Sequence, residues 1–487
     1  MDGDVVTESG RTIGRRLLGR EVELAAVDDA LTDALGGSGR LVLVVGEAGI
    51  GKTELAAAAA ARSAERGAVV LWGGGVEEGG APAYWPWTQI IRSHLRQTSL
   101  AHGVQCAGRD VALLAKIVPE FGTQEPAAAA EPARFMLFDA VSGFLARAAA
   151  TPLVIVVDDL HAAGTPSALL LQFLARELRQ TSILLVCTYR PSEARLDPAM
   201  ADVVATLETI GTVVAPAGLG EAEIATVLER ETHTRPSPSL VAAIRGRTDG
   251  NPLFVGEVAR LLRSDSTGRE HWPVPAGIRQ AIRGRFAALQ LQAGAAGTGD
   301  AERIFGVAAV VGREFDLATV SSIADVSPSA LLALVSQATE ADLLRPVASN
   351  PGRYRFAHAL VRDTVYEDTP AVVRAELHAR IGGFLEQQPD DDAGAHLAAL
   401  AHHFVLAVPL VDAAKAAEAA RRAGDHAMQT LAFEEAAQHF DAALTALEQQ
   451  VPACEIGRPG EHGASPRRVT APGQRLAQGK PHPAALV

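Results

Sequence analysis

An apolar run at residues 41–45, LVLVV, leads into Gly46-Glu47-Ala48-Gly49-Ile50-Gly51-Lys52-Thr53, and the helix-prone ELAAAAAARSAE follows at once. Nothing else in the chain restricts the fold so tightly. Strand, glycine turn and helix come in immediate succession. Gly46, Gly49 and Gly51 let backbone N–H groups point inward, and the helix N-terminus adds positive potential, so the turn cradles an anion. The spacing GxxxxGK[ST] assigns Lys52 to β- and γ-phosphates and the Thr53 hydroxyl to Mg²⁺. The ligand read here is ATP or ADP with Mg²⁺.

Further apolar runs at 68–72 (AVVLW), 153–157 (LVIVV), 183–187 (ILLVC) and 212–216 (TVVAP) read as companion strands. Runs without alternation belong to parallel strands covered on both faces. An α/β domain with helices on both faces of a parallel sheet is therefore expected over 17–216. The third strand ends in Asp158-Asp159. Asp158 is placed to hold Mg²⁺ beside Thr53, and Asp159 to orient or deprotonate the attacking water. His161, just beyond, reads as a structural or loop hydrogen-bonding residue. The next strand ends CTYRPSE, which brings Thr188 and Arg190 to the crevice where open α/β sheets bind ligands, with Arg190 as a γ-phosphate sensor.

Beyond 216 the pattern changes. Three short helices broken by Gly and Pro occupy 217–265 and read as a helical lid. Helices followed by strand-like GRYRFAH give a winged-helix-like domain over 266–370. Residues 371–450 are alanine-rich helix. KAAEAARRAGDHAMQT and AFEEAAQHFDAALTALEQ pair like a tetratricopeptide-type repeat, with little more than one repeat visible and an array that reads as truncated. Residues 451–487 carry six prolines and no aromatic residue, and with 1–16 are expected to be disordered.

Net charge is −13, which opposes nucleic-acid binding over the whole surface. Arg279, Arg283 and Arg285 in RQAIRGRF fit a solvated helix face better than a DNA contact. Three scattered cysteines, with no CxxC or Cys/His cluster, give no reason to expect a disulfide framework or zinc site. The N-terminus lacks an apolar signal segment and no stretch is long enough to span a membrane, so a cytoplasmic protein is expected.

Together these segments resemble the STAND class of P-loop signal-transduction ATPases within the AAA+ group, and above all the ATPase module of large LuxR-family transcription regulators. Similar modules accompany some nucleotide cyclases. LLGREVEL (17–24) resembles the segment that opens such a domain near the adenine, which implicates Gly19 and Arg20. DGNPLFVGEVARLL resembles the GxP-type lid motif, which implies Pro252 against base or sugar. FAHALVRDTVY resembles the winged-helix segment whose histidine touches the β-phosphate of ADP, which would be His358. Packing at a strand–helix junction is an equal alternative for that residue. Two departures stand out. Ala359 replaces the usual acidic neighbour, and Ala162 and Gly164 stand where the family has Trp and Asp, although Thr165-Pro166 still suits a helix start.

The resemblance implies a regulatory switch: closed with ADP, open with ATP, reset by slow hydrolysis, and acting through self-association or a protein partner of the C-terminal helices under an unknown inducer. A P-loop enzyme proper, a kinase or remodelling ATPase, is the alternative. No acceptor-substrate constellation supports it.

Overall fold

The computed structural model describes residues 17–450 except 77–80, 123–130, 265–277, 296–300, 342, 348–349, 389–392 and 409, together with two short strands before them. Those two, Val5–Val6 and Thr12–Ile13, pair antiparallel inside the segment expected to be disordered, as β-branched residues favour. The remainder of 1–16, most of the polar break at 264–275 and the tail at 451–487 lie outside the described residues.

Five parallel strands form the first sheet: β1 Arg40–Val45, β2 Val69–Gly74, β3 Leu153–Asp158, β4 Ile183–Tyr189 and β5 Thr212–Val214. Their order is β2-β3-β4-β1-β5. Alternate side chains leave by opposite faces and both faces are covered, which is why the runs show no polar alternation. Val42, Val44, Val154, Val156 and Val186 meet Leu31 of helix α1 (Glu21–Leu35) and Leu55 of α2 (Lys52–Glu65). Leu41, Leu43, Ile155, Val157 and Leu185 meet Trp87 of α3 (Trp85–Gln97), Phe144 of α4 (Glu131–Ala148) and Leu171 of α5 (Thr165–Glu177). Helix α5 is capped by Gly164 at φ 76°, with Thr165 already inside the helix and bonded to Asp197. The helix thus starts one residue earlier than Thr165 as cap.

The lid is three helices, α6 Glu221–Thr232, α7 Pro238–Thr248 and α8 Pro252–Ser264, around Ile224, Leu228, Ile244, Val255 and Val258. Next come α9 Ile278–Ala295, α10 Ala301–Val311, α11 Leu317–Ala324 and α12 Pro328–Glu340. They pack on a small antiparallel sheet whose central strand, β8 (Arg353–Phe356), lies between β6 (Glu314–Asp316) and β7 (Leu344–Pro346). The sequence showed only β8. Its three-residue partners are too short to register as periodicity. This is the winged-helix-like region, closed by α13 Ala359–Asp368.

Two helical hairpins follow, one more than the sequence showed: α14 Ala371–Leu385 with α15 Ala393–Leu406, then α16 Ala413–Gln429 with α17 Phe433–Gln450. Each repeats one contact, a phenylalanine ring seated on a glycine of the partner helix. Phe404 covers Gly382 and Phe440 covers Gly424, and a Cβ on either glycine would lie within 2.6 Å of the ring. The turn between α16 and α17 is buried against the first sheet's helices. Leu431 and Ala432 join that core, and the Tyr84 hydroxyl donates to the Leu431 carbonyl at 3.1 Å. No single helix among the described residues is long and apolar enough to cross a membrane.

Candidate functional site

The turn after β1 has the conformation its glycines permit. Gly51, at φ 97°, caps α2, and L side chains rarely adopt that conformation. Lys52 is buried, 5% exposed, and its Nζ donates to the Glu47 carbonyl at 3.2 Å. Burial lowers its pKa, and the nearby Asp159 carboxylate opposes that shift.

Strand β4 lies between β1 and β3, so Thr188 comes level with the acids that end β3. Its hydroxyl donates to Asp158 Oδ1 at 2.6 Å and accepts the Asp159 N–H at 2.9 Å. Thr53 donates to the same Asp158 oxygen at 3.1 Å. A hydroxyl and a carboxylate converging in this way form the all-oxygen donor set that a hard dication takes. Thr53 and Asp158 therefore fit Mg²⁺. Asp159, at φ 53°, lines the cavity and is buried, 6% exposed as a residue. Arg190 donates to Glu193 at 2.6 Å, and His161 sits between them, 3.3 Å from both the Arg190 N–H and Glu193. His161 is thus the structural hydrogen-bonding residue its position suggested.

The lid is seated directly on the glycine turn. Asn251 caps α8, its Oδ1 accepting from Leu253 N at 3.0 Å and Phe254 N at 3.3 Å, while its Nδ2 donates to the Ala48 carbonyl at 3.0 Å. A Cβ on Gly49 would stand 2.7 Å from Leu253, so glycine is required there by the lid as well as by the anion. Arg20 clasps the turn from behind, donating to the Ile50 carbonyl at 3.0 Å. Gly19 abuts Glu223 of the lid.

One cavity collects most of the residues named from sequence. Gly49, Gly51, Lys52, Thr53, Asp159, Arg190, Pro252 and His358 line it. Gly46, Gly19, Arg20 and Asp158 stand outside that lining. Four arginines complete it: Arg260 of the lid, and Arg313, Arg345 and Arg355 of the winged-helix-like region. Arg345 and Arg355 are directly opposed across β7 and β8. Like charges so placed destabilise a sheet, and an anion between them relieves the cost. Arg313 Nη1 lies 3.5 Å from Asp159 Oδ2, an ion pair between the small sheet and the end of β3. None of these arginines carries a local sequence signal, because they meet the glycine turn only across this cavity, from roughly 200 to 300 residues further along the chain. The other basic residues of α9 are engaged within the chain. Arg283 pairs with Asp368 at 2.6 Å and Arg279 with Glu367. Arg285, expected on a solvated face, is instead buried against the fully buried Glu257 of the lid.

Residues 16–186 match the family model of the AAA ATPase domain. That stretch has the fold of a P-loop NTPase domain and is similar to AAA-type ATPase domains. An uncharacterized protein of Rhizobium meliloti (strain 1021) is 26% identical over 449 residues, covering 86% of this chain and 42% of that protein. The chain thus spans less than half the length of this curated relative. A STAND (signal transduction ATPase with numerous domains) protein with a tetratricopeptide repeat sensor, from Pyrococcus horikoshii, superposes over 92% of this chain and 60% of its own, at 15% identity and TM-score 0.51. This likeness is one of fold: a STAND-like P-loop domain followed by a helical region. The Aeropyrum pernix ORC2 protein aligns over 74% of this chain and 97% of its own, at 15% identity and TM-score 0.35.

Proposed function

We propose that the chain is a nucleotide-operated switch, closed over ADP by its winged-helix-like region and reset by slow ATP hydrolysis. The contact between Arg313 and Asp159 carries this reading. The carboxylate best placed to orient an attacking water is held by a residue of the moving part. In the open form Arg313 withdraws and Asp159 becomes available to water. Lys52 and the turn N–H groups hold the phosphate chain, Arg190 reads the γ-phosphate, and His358 donates to the β-phosphate as a latch. Thr53 and Asp158 would hold Mg²⁺, which neutralises charge on the β- and γ-phosphates when bound. Pro252, Gly19 and Arg20 frame the nucleoside end.

The motif set supports a finer reading, the regulatory module of a LuxR-type transcription regulator. In that reading opening allows self-association or partner binding through the helical hairpins, and the DNA contact is made by something other than this chain.

Turnover of ATP with Mg²⁺ tests the proposal. The chain should turn over below about 1 s⁻¹, under the usual enzyme range. Arg313→Ala should raise the rate about fivefold, the worth of an ion pair of about 1 kcal/mol. Lys52→Ala should remove both binding and turnover. Tens of turnovers per second, or a slower Arg313→Ala chain, would make Arg313 a charge-stabilising group of an active ATPase and overturn the switch.

A further inference from the structure

Helix α3 buries Trp87, Ile90, Ile91 and His94, the i, i+3, i+4, i+7 stripe of a core-facing helix. Its last member is a histidine where an aliphatic residue would pack. His94 is 3% exposed, and neither ring nitrogen has a hydrogen-bond partner among the described residues. A buried polar group left unpaired costs about 1–3 kcal/mol.

The next helix, Leu100–Ala107, begins after a short turn and is capped by Ser99, whose hydroxyl accepts from His102 N at 3.1 Å. Gly103 lets it approach α3 closely, since a Cβ there would fall 2.0 Å from Leu95 Cδ2. The approach brings His102 and Cys106, one turn apart, to His94. The three ligand atoms lie within 4.8 Å of one another, and Cys106 Sγ is 3.5 Å from His102 Nε2. In a tetrahedral zinc site, bonds of 2.0–2.3 Å place ligand atoms about 3.5 Å apart. One edge already has that length, and the others, none above 4.8 Å, need to close by at most about 1.3 Å.

We propose that His94, His102 and Cys106 bind a borderline-soft dication of the Zn²⁺ class, with water as fourth ligand on the exposed side of His102. The expectation from sequence, that no Cys/His cluster exists, gives way because H-x₇-H-x₃-C is split over two helices and gathered only by their packing. Two imidazoles and a thiolate select such an ion over Mg²⁺, which prefers oxygen. The Cys106 thiol proton leaves to solvent on binding. Burial raises the Cys106 thiol pKa; Arg147, which donates to the Cys106 and Ala107 carbonyls, opposes that shift without reversing it.

The test uses the full chain without an added histidine tag, stripped with chelator and held in excess Mg²⁺ to fill the phosphate site. One equivalent of Co²⁺ should produce a thiolate-to-cobalt charge-transfer band that Zn²⁺ abolishes. Cys454 lies outside the described residues, so the variants decide. Cys106→Ser should remove the band. His102→Ala, an exposed substitution that leaves the core intact, should weaken Zn²⁺ binding at least about tenfold. A wild-type chain with no band, a band retained in Cys106→Ser, or unchanged Zn²⁺ affinity in His102→Ala would each overturn the site.

Discussion

Lys52 and the arginines around it bring basic residues from distant segments to one cavity. Among the described residues that line the cavity, Lys52, Arg190, Arg260, Arg313, Arg345 and Arg355 stand with two acids, Asp159 and Glu54, and Arg190 and Arg260 pair with Glu193 and Glu257 at its edge. A basic lining of this kind favours an anion over a cation. His358, the residue before α13, lines the same space. Under the switch reading His358→Ala should loosen ADP several-fold more than ATP, measured by titration calorimetry. Equal loss of both would assign His358 to packing at the strand–helix junction. Asp158 and Asp159 were legible from sequence because an apolar strand ending in acids downstream of a phosphate turn is a local pattern. Arg313 was not, because its meaning depends on which carboxylate it faces.

At the scale of elements, the lid is held on the glycine turn by the Asn251 side chain and by Leu253 N, which donates to the Gly49 carbonyl at 3.2 Å. Asn251 spends its carbonyl on the α8 N-terminus and its amide on Ala48. Asn251→Ala removes both contacts, and loss of a cap costs about 1 kcal/mol. The expected result is an about fivefold faster release of ADP in stopped-flow; an unchanged off-rate would show that the lid is held elsewhere. Sequence pointed to Pro252 in this motif. The residue before it makes the contacts, because its amide can both accept and donate.

Across the whole molecule, the helical hairpins dock on the domain that carries the glycine turn. Arg134 pairs with Glu434 at 2.8 Å, and Glu435 Oε1 would lie 2.5 Å from a Cβ on Gly164, just past the acids of β3. Burial, then the Glu434 charge, pushes Glu435 up to about 8. The folded chain therefore keeps a proton that the unfolded chain releases near pH 4.3, and stability falls from there as pH rises through 8. Glu435→Gln should gain melting temperature over wild type progressively between pH 5 and 8; a constant difference would refute the shift. A histidine cluster joins the first hairpin, and its linkage has the opposite sign. His378 Nδ1 and His403 Nδ1 are 2.8 Å apart, and the Tyr366 hydroxyl reaches His378 Nε2 at 3.1 Å. Only one hydrogen fits between the two Nδ1 atoms, so the two rings cannot both be protonated. Burial, reinforced by His402, Arg362 and Arg374, lowers His378 to about 3; burial and Arg362 lower His402 to about 4. The stability these groups contribute is present above pH 6.5 and lost as pH falls toward 4, by up to about 1.4 kcal/mol per pH unit for each histidine. Thermal melts from pH 6.5 to 5 in a Glu435→Gln background, which removes the opposing contribution, should show the loss, and His402→Gln should flatten it.

The chain's own order determined the phosphate turn, the five strands, the lid helices and the last hairpin. Each is written in contiguous residues whose spacing or apolar pattern is physical cause enough. What the tertiary structure decided is which distant residues share a space. It set Arg313 on Asp159, Asn251 on the glycine turn, Leu431 in the core of the first sheet and His94 beside Cys106. Those contacts join segments by packing and charge, and neither force leaves a period or a motif in the local sequence.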